Sequence, residues 1–323
     1  MSKKSHYAKL LFALLGAAGL FLMVRNYGME AIRKDLTFGY QNITLLILTF
    51  IPTLFCYSSA WYLVTDHFAG KGLFLFTRFT AASITWNNLT PFLKVGGEPL
   101  KIFLLENFIA RPKAVESVLI YNFIHTLATG LSFVIAAIGI PLLFNAGSEI
   151  KLACFVFAMI TSMVIMAGCL LPVLWQNSFG EKDHHKRTWL HKISVSANWA
   201  IHQTRIFITI RPLHFYLAIV LEILARFIEG LTFYLAFILI KHPVTFLASA
   251  FLDVGRTLSD TIFFFIPYQL GSREQSTLLL MDKVMGIRAS GYLTAVFLYR
   301  FVEIVWAIIG YLCWINLKRA KRS

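Results

Sequence analysis

The sequence predicts an all-α polytopic membrane protein of about six transmembrane helices plus two re-entrant helical hairpins, arranged as inverted repeats. Three observations predict it. Of 323 residues, 58% are hydrophobic, 30 are phenylalanine and only 14% are charged, which excludes a soluble globule. Uncharged stretches occupy 10–24, 36–65, 117–148 and 152–180, all but the first well beyond the roughly 20 residues that a helix needs to cross hydrocarbon. One punctuated pattern then occurs twice in apolar surroundings, as Pro91-Phe-Leu-Lys-Val-Gly-Gly-Glu98 and Pro267-Tyr-Gln-Leu-Gly-Ser-Arg-Glu274. Pro and Gly break helices and a carboxylate at membrane depth is expensive, so a chain that carries both twice builds a transport site rather than a plain span. Pro99 and Glu106 have the same separation by accident. The glycine just before each glutamate region and the matching flanks therefore carry the weight.

In order along the chain, 10–24 follows Lys3, Lys4 and Lys9 with no small-x-small cleavage pattern before Arg25, and reads as an uncleaved anchor closing a first segment, 1–35. The span 36–65 opens repeat 1 (36–144). Its hairpin, 73–108, is apolar but studded with Arg78, Lys94, Glu98, Lys101 and Glu106. The half after the break offers about a dozen residues, about 18 Å of helix against a core of about 30 Å, so a segment that enters and leaves on one side fits. The span 117–148 closes the repeat. In 145–212 a further span, 152–180, leads to a basic loop around Glu181-Lys-Asp-His-His-Lys-Arg187, a solvated connector in which each cation contributes about 1 kcal/mol near anionic headgroups. His184, His185 and His191 lack a Cys or acidic partner to complete a metal set, and no metal is expected.

Repeat 2 (213–323) begins with the span 213–240, interrupted by Glu222, Arg226 and Glu229. Its hairpin, 244–284, carries Asp253, Arg256 and Asp260 before the break at 267–271, and the span 290–317 carries Arg300 and Glu303. The first unit runs out-to-in span, hairpin, in-to-out span, and the second runs the opposite way. Cys56, Cys154, Cys169 and Cys313 are scattered in apolar runs and read as core thiols.

The net charge of +14 reflects sidedness rather than nucleic-acid binding, because most lysines and arginines fall in the segments that an inside amino terminus makes cytoplasmic. Both termini are then cytoplasmic, in the inner (cytoplasmic) membrane.

Asn87-Asn-Leu-Thr-Pro91 through Gly96-Gly-Glu-Pro-Leu-Lys101, and Phe265-Ile-Pro267 through Gly271-Ser-Arg-Glu274 followed by Tyr299-Arg-Phe-Val-Glu303, resemble the lysylphosphatidylglycerol synthase transmembrane-region family. This is also called the flippase-like family, and a hopanoid-associated branch of it is similar in length and motif. The resemblance covers the chain from about 36 onward and implies lipid handling: in two-domain members this region is thought to flip the lipid that a soluble domain modifies. Lys318-Arg-Ala-Lys-Arg-Ser323 follows directly on the last expected span, so aminoacyl transfer is not expected of this sequence. Tyr268 and Gln269 stand where the second motif usually has glycines, which puts the tightness of that turn in doubt. Lys101 replaces a commoner arginine, exchanging a planar fork for a point charge.

A lipid headgroup crossing the bilayer needs a polar surface, and its phosphate needs cations or helix amino termini. Gly96 and Gly97, with Lys94 and Lys101, offer these in the first hairpin after the break at Pro91. Gly271 and Arg273 offer them in the second after Pro267. Arg226, Arg300 and Glu303 line the space between, and Glu98 and Glu274 serve as counter-charges or bind a coupling proton. Cations outnumbering carboxylates at these depths favour an anionic substrate. Structural pairing is the alternative: Glu222, Arg226 and Glu229 share one helix face and can neutralise one another, as can Arg300 and Glu303. His125 reads as a packing residue.

The leading function is an integral membrane lipid translocase, flippase or scramblase, for an anionic lipid such as a glycerophospholipid or a polyprenyl phosphate; a hopanoid also fits. The sequence holds no P-loop and calls for no cofactor, and a separate lipid-modifying enzyme is a possible partner. A membrane-embedded lipid-modifying transferase and a non-catalytic subunit of a lipid or hopanoid biosynthesis complex stay open as alternatives.

Overall fold

A computed structural model describes residues 39–65, 72–89, 96–144, 147–175, 189–263, 266, 269, 271–285 and 292–320, together with Phe21 and Arg25; positions 40, 89, 167–175, 189–198, 200, 319 and 320 are described by backbone alone. All regular structure among the described residues is helical. Helices α1 (Tyr40–Leu48) and α2 (Phe50–Val64) form one span with a joint at Thr49. The joint lies where Pro52, lacking an N–H, cannot donate to the carbonyl of Leu48. Thr49 instead turns its hydroxyl onto Leu46 O at 2.6 Å and meets the Thr232 hydroxyl at 2.8 Å.

Helix α3 (Gly72–Leu89) and the short α4 (Gly97–Leu105) flank the first break. Helix α5 (Arg111–Leu143) starts with Pro112 in its first turn, where a missing N–H costs nothing, and is followed by α6 (Ser148–Trp175) and α7 (Trp189–Ile210). Helix α8 (Pro212–Leu239) leads to α9 (Phe246–Ile262), whose amino end is capped by Thr245 Oγ1 accepting from Ala248 N at 3.2 Å. Beyond the second break lie α10 (Ser272–Leu279), a π-helical turn (Leu280–Val284) and α11 (Tyr292–Ala320).

Among the described residues, four helices are long and apolar enough to cross a membrane, Gln41–Val64, Arg111–Leu143, Ser148–Met166 and Tyr292–Lys318, or five when the bent pair Ile201–Ile210 and Pro212–Leu239 is included. The expected anchor 10–24 lies outside the described residues apart from Phe21. The segments after the breaks are short: nine residues in α4 and eight in α10, about 14 and 12 Å at the helical rise.

Where a basic connector to 212 is expected, 189–210 form a helix, turned by 107° against α8. The corner falls at Arg211, whose φ of −131° and ψ of 58° are non-helical, as the residue before a proline prefers. Thr204 and Phe207 of α7 face the bundle while His202, Arg205, Ile206 and Ile210 stay exposed.

At the centre α2 packs along α8, and α8 along α9; α3 lies against α11, and α9 against α5. Trp61 anchors one core, fully buried among the rings of Phe76, Phe79 and Tyr121. Phe233 stacks on Tyr299 in a second, with ring centroids 4.5 Å apart. Helix α6 is an outrigger on α5: Phe155, Met159 and Met163 are exposed, a bare apolar flank suited to lipid contact.

Candidate functional site

The charges of four helices, α8 to α11, converge in the middle of this apolar bundle. On α8, Glu222, Arg226 and Glu229 fall at i, i+4 and i+7, and on α9, Asp253, Arg256 and Asp260 fall at i, i+3 and i+7, so each helix turns one charged stripe inward. Arg256 is the hub. Its Nε donates to Asp253 at 2.8 Å and its Nη1 to Asp260 at 3.1 Å; longer contacts run to Glu229 at 3.4 Å and Glu303 at 3.8 Å. The guanidinium stands 4.7 Å from the Tyr299 ring centroid. Glu229 also accepts from the hydroxyls of Tyr57 (3.3 Å) and Tyr299 (3.1 Å).

The second break supplies the next partners. Arg273 of α10 binds Asp260 with Nε and Nη2, and donates from Nη1 to Glu303 at 2.6 Å. Glu274 is fully buried; it accepts from Arg300 Nε at 2.5 Å and from Gly271 N at 2.8 Å. Gly271 has φ +79° and Gln269 φ +48°. Gln269 thus takes the left-handed conformation that glycine adopts without strain, and holds it with two bonds: its carbonyl accepts from Arg300 at 3.0 Å and its side-chain oxygen from Arg273 at 3.2 Å.

The first break is built differently. Glu98 and Lys101 pair with each other at 2.9 Å on α4, and the Lys101 ammonium lies over the rings of Tyr121 (4.5 Å) and Trp61 (5.7 Å). Gly96 precedes α4 at its N-cap, and Gly97 donates its N–H to Asn87 Oδ1 at 2.7 Å. The backbone donors that the sequence offers to a headgroup at Gly97 and Gly271 are therefore both held by side chains of the protein. Pro91, Lys94 and Pro267 lie outside the described residues.

A chain of contacts links the two ends. Tyr121 neighbours His125 (ring centroids 6.0 Å apart), His125 bonds both Glu222 and Arg226 at 2.8 Å, and Arg226 lies over Tyr57, which donates to Glu229 beside Arg256. A cavity of about 140 Å³ opens beside it, lined by Arg226, Glu229, Arg256, Asp260, Arg273 and Glu303, with Phe50, Tyr299 and Trp306 as apolar wall.

Several sequence expectations change. Glu222 and Arg226 do not pair directly, because His125 stands between them. Arg300 and Glu303, three residues apart, take different partners across the break, Glu274 and Arg273. His125 is a wired polar residue rather than packing. Among the described residues this cluster holds four arginines (226, 256, 273, 300) and six carboxylates (222, 229, 253, 260, 274, 303). Asp253, Arg256, Asp260, Glu229 and Tyr299 join the site although the sequence argument did not place them there. Their matched spacing on two neighbouring helices was the signal available.

Among curated proteins none matches the chain. The family described as lysylphosphatidylglycerol synthase TM region matches residues 8–310, a stretch that contains both breaks and every cluster residue. With its apolar helices, the chain is thus a multi-pass membrane protein belonging to the lysylphosphatidylglycerol synthase transmembrane-region family.

Proposed function

We propose that the chain is a lipid translocase, a flippase or scramblase, whose headgroup path is the polar chain between the two helix-break-helix units. The observation that carries this reading is the charged cavity buried in an otherwise apolar bundle. Buried ion pairs add little stability over apolar packing, so their concentration here argues for a polar passage. The cavity has room for a phosphate-sized group, while acyl chains would stay outside among the apolar flanks. The long Arg256 contacts to Glu229 and Glu303 are those that a lipid phosphate would displace most readily. A glycerophospholipid and a polyprenyl phosphate both carry that group.

Inverted repeats are part of the same proposal, with 36–144 and 213–323 as the two halves, flanked by 1–35 and 145–212. The packing pattern supports them. The first helices of the halves, α2 and α8, pack on each other, and each half's pre-break helix crosses to the other half's last helix, α3 to α11 and α9 to α5. Exchanging conformations between such halves would open the cavity to either side in turn. Both termini would face the cytoplasm, and α4 and α10 would re-enter rather than cross.

Purified protein in liposomes, with fluorescent anionic, zwitterionic and polyprenyl-phosphate lipids, tests the reading by comparing wild type with Arg226→Gln and Glu98→Gln. Faster crossing of one headgroup class than in empty vesicles, lost in Arg226→Gln, supports it. If no lipid is accelerated with or without a pH gradient, translocation is excluded and a lipid-modifying transferase or an assembly subunit takes its place.

A further inference from the structure

His125 sits between an acid and a base in a way that fixes its proton. Arginine has donors only, so the His125 Nε2 that faces Arg226 Nη2 at 2.8 Å must accept. The ring proton is then on Nδ1, donated to Glu222 Oε2 at 2.8 Å. The network assigns the neutral Nδ1–H tautomer.

We propose that His125 is a proton-binding latch for Arg226: uptake of a proton at Nε2 releases Arg226 to the central cavity, so that proton binding and phosphate binding reinforce each other. This rests on the translocase reading of the same cavity and gives it a coupling ion.

Only one nitrogen of the neutral ring can take a proton, and it is the one Arg226 occupies. Once protonated, Nε2 becomes a donor facing a donor, and two cations confront each other. The new imidazolium keeps its partner, because Glu222 is fully buried against Nδ1. Arg226 loses its acceptor and, among the described residues, keeps Thr129 Oγ1 at 2.9 Å. Its Nε already lacks a partner, its side chain already lines the cavity, and Glu229 lies one turn further along the same helix face. The His125 side chain is 39% exposed, whereas Glu222 beside it is fully buried.

The charges around the latch are accounted for from each neighbouring helix. Tyr57 and Cys56 face it from α2, Tyr121 from its own helix with the Glu98–Lys101 pair of α4 beyond, Glu222, Arg226 and Glu229 from α8, and Asp253 from α9. Glu222, neutral His125 and Arg226 sum to zero. One added proton leaves Glu222 and His125 mutually compensated and Arg226 as a net positive charge at the cavity wall. By linkage, a phosphate held by Arg226 raises the proton affinity of His125 by the same factor that the proton raises phosphate affinity.

Two measurements on the full chain test this. The first is nitrogen NMR of protein labelled at the histidine rings, in micelles, with His125 identified by the signal lost in His125→Gln. The expected result is the Nδ1–H tautomer at alkaline pH, converting to the doubly protonated ring on acidification, with a tautomer mixture in Arg226→Gln. The second is translocation in liposomes over a pH series, expected to rise about tenfold on acidification in wild type and to change less than about twofold over the same series in His125→Gln. An Nε2–H tautomer at alkaline pH, or a wild-type pH profile in His125→Gln, overturns the latch while leaving translocation intact. If no lipid crosses yet the tautomer and its Arg226 dependence are found, the latch stands and the transport reading falls.

Discussion

Arg273 grips Asp260 with two parallel bonds, Nε to Oδ1 at 3.0 Å and Nη2 to Oδ2 at 2.7 Å, with both side chains only 5% exposed. The fork ties the short helix after the second break to the long helix before it, so the conformation of the break is held by charge rather than by apolar packing alone.

Breaking the fork from one side should already cost much of what removing both partners costs. Asp260→Asn or Arg273→Gln alone is expected to lose about 3–5 kcal/mol by stranding a buried charge, and the double variant less than the sum of the two. Thermal unfolding in detergent checks this; additive losses would show that the pair is not coupled.

Gln269 separates strain from bonding. Gln269→Ala keeps the left-handed φ of +48° and loses the bond to Arg273, whereas Gln269→Gly loses the bond but relieves the backbone. The glycine variant should be the more stable of the two by about 1 kcal/mol. Equal melting temperatures would refute the strain account.

Gly97 is where α4 meets α3. A Cβ there would come 2.5 Å from the Ser83 carbonyl oxygen and 2.7 Å from the Asn87 side chain. Gly97→Ala is expected to destabilise by about 1–3 kcal/mol through overpacking and to increase protease cleavage near the first break. Gly147→Ala, which meets nothing within 4 Å, is the control.

The two break glutamates should respond unequally despite their matching sequence positions. Glu98 has a 29% exposed side chain and, among the described residues, pairs with Lys101 alone, so Glu98→Gln should cost less than Glu274→Gln. Glu274 is fully buried and holds both Arg300 and the Gly271 N–H, so Glu274→Gln should unfold at distinctly lower temperature. Similar melting points for both variants would contradict the geometry.

The spans were legible because apolar length alone defines them: 213–240 and 290–317 correspond to Pro212–Leu239 and Tyr292–Ala320. Helix α5 begins earlier than the uncharged stretch at 117, because Arg111, Lys113 and Glu116 extend the helix without needing an apolar setting. Helix α7 was hidden by the basic composition of its surroundings, which says nothing against helicity once Ile201, Thr204 and Phe207 recur at helical spacing. The hairpin motifs located Arg273, Glu274 and Glu303. They could not reveal that His125 meets residues 97 and 101 positions away, since pairing across helices depends on how those helices are rotated and packed.

The charged stripe of α9 also bears on how the chain is made. Seventeen residues that include Asp253, Arg256 and Asp260 are a poor membrane insert alone, because each such side chain costs about 2.5–3.5 kcal/mol at the centre of a lone helix. Their partners come partly from α8, already synthesised, and partly from α10 and α11, synthesised afterwards. Helix α9 must therefore be sheltered against α8, or held at the translocation machinery, until the carboxy-terminal helices emerge, which makes the part of the chain after Ile262 a condition for burying what precedes it.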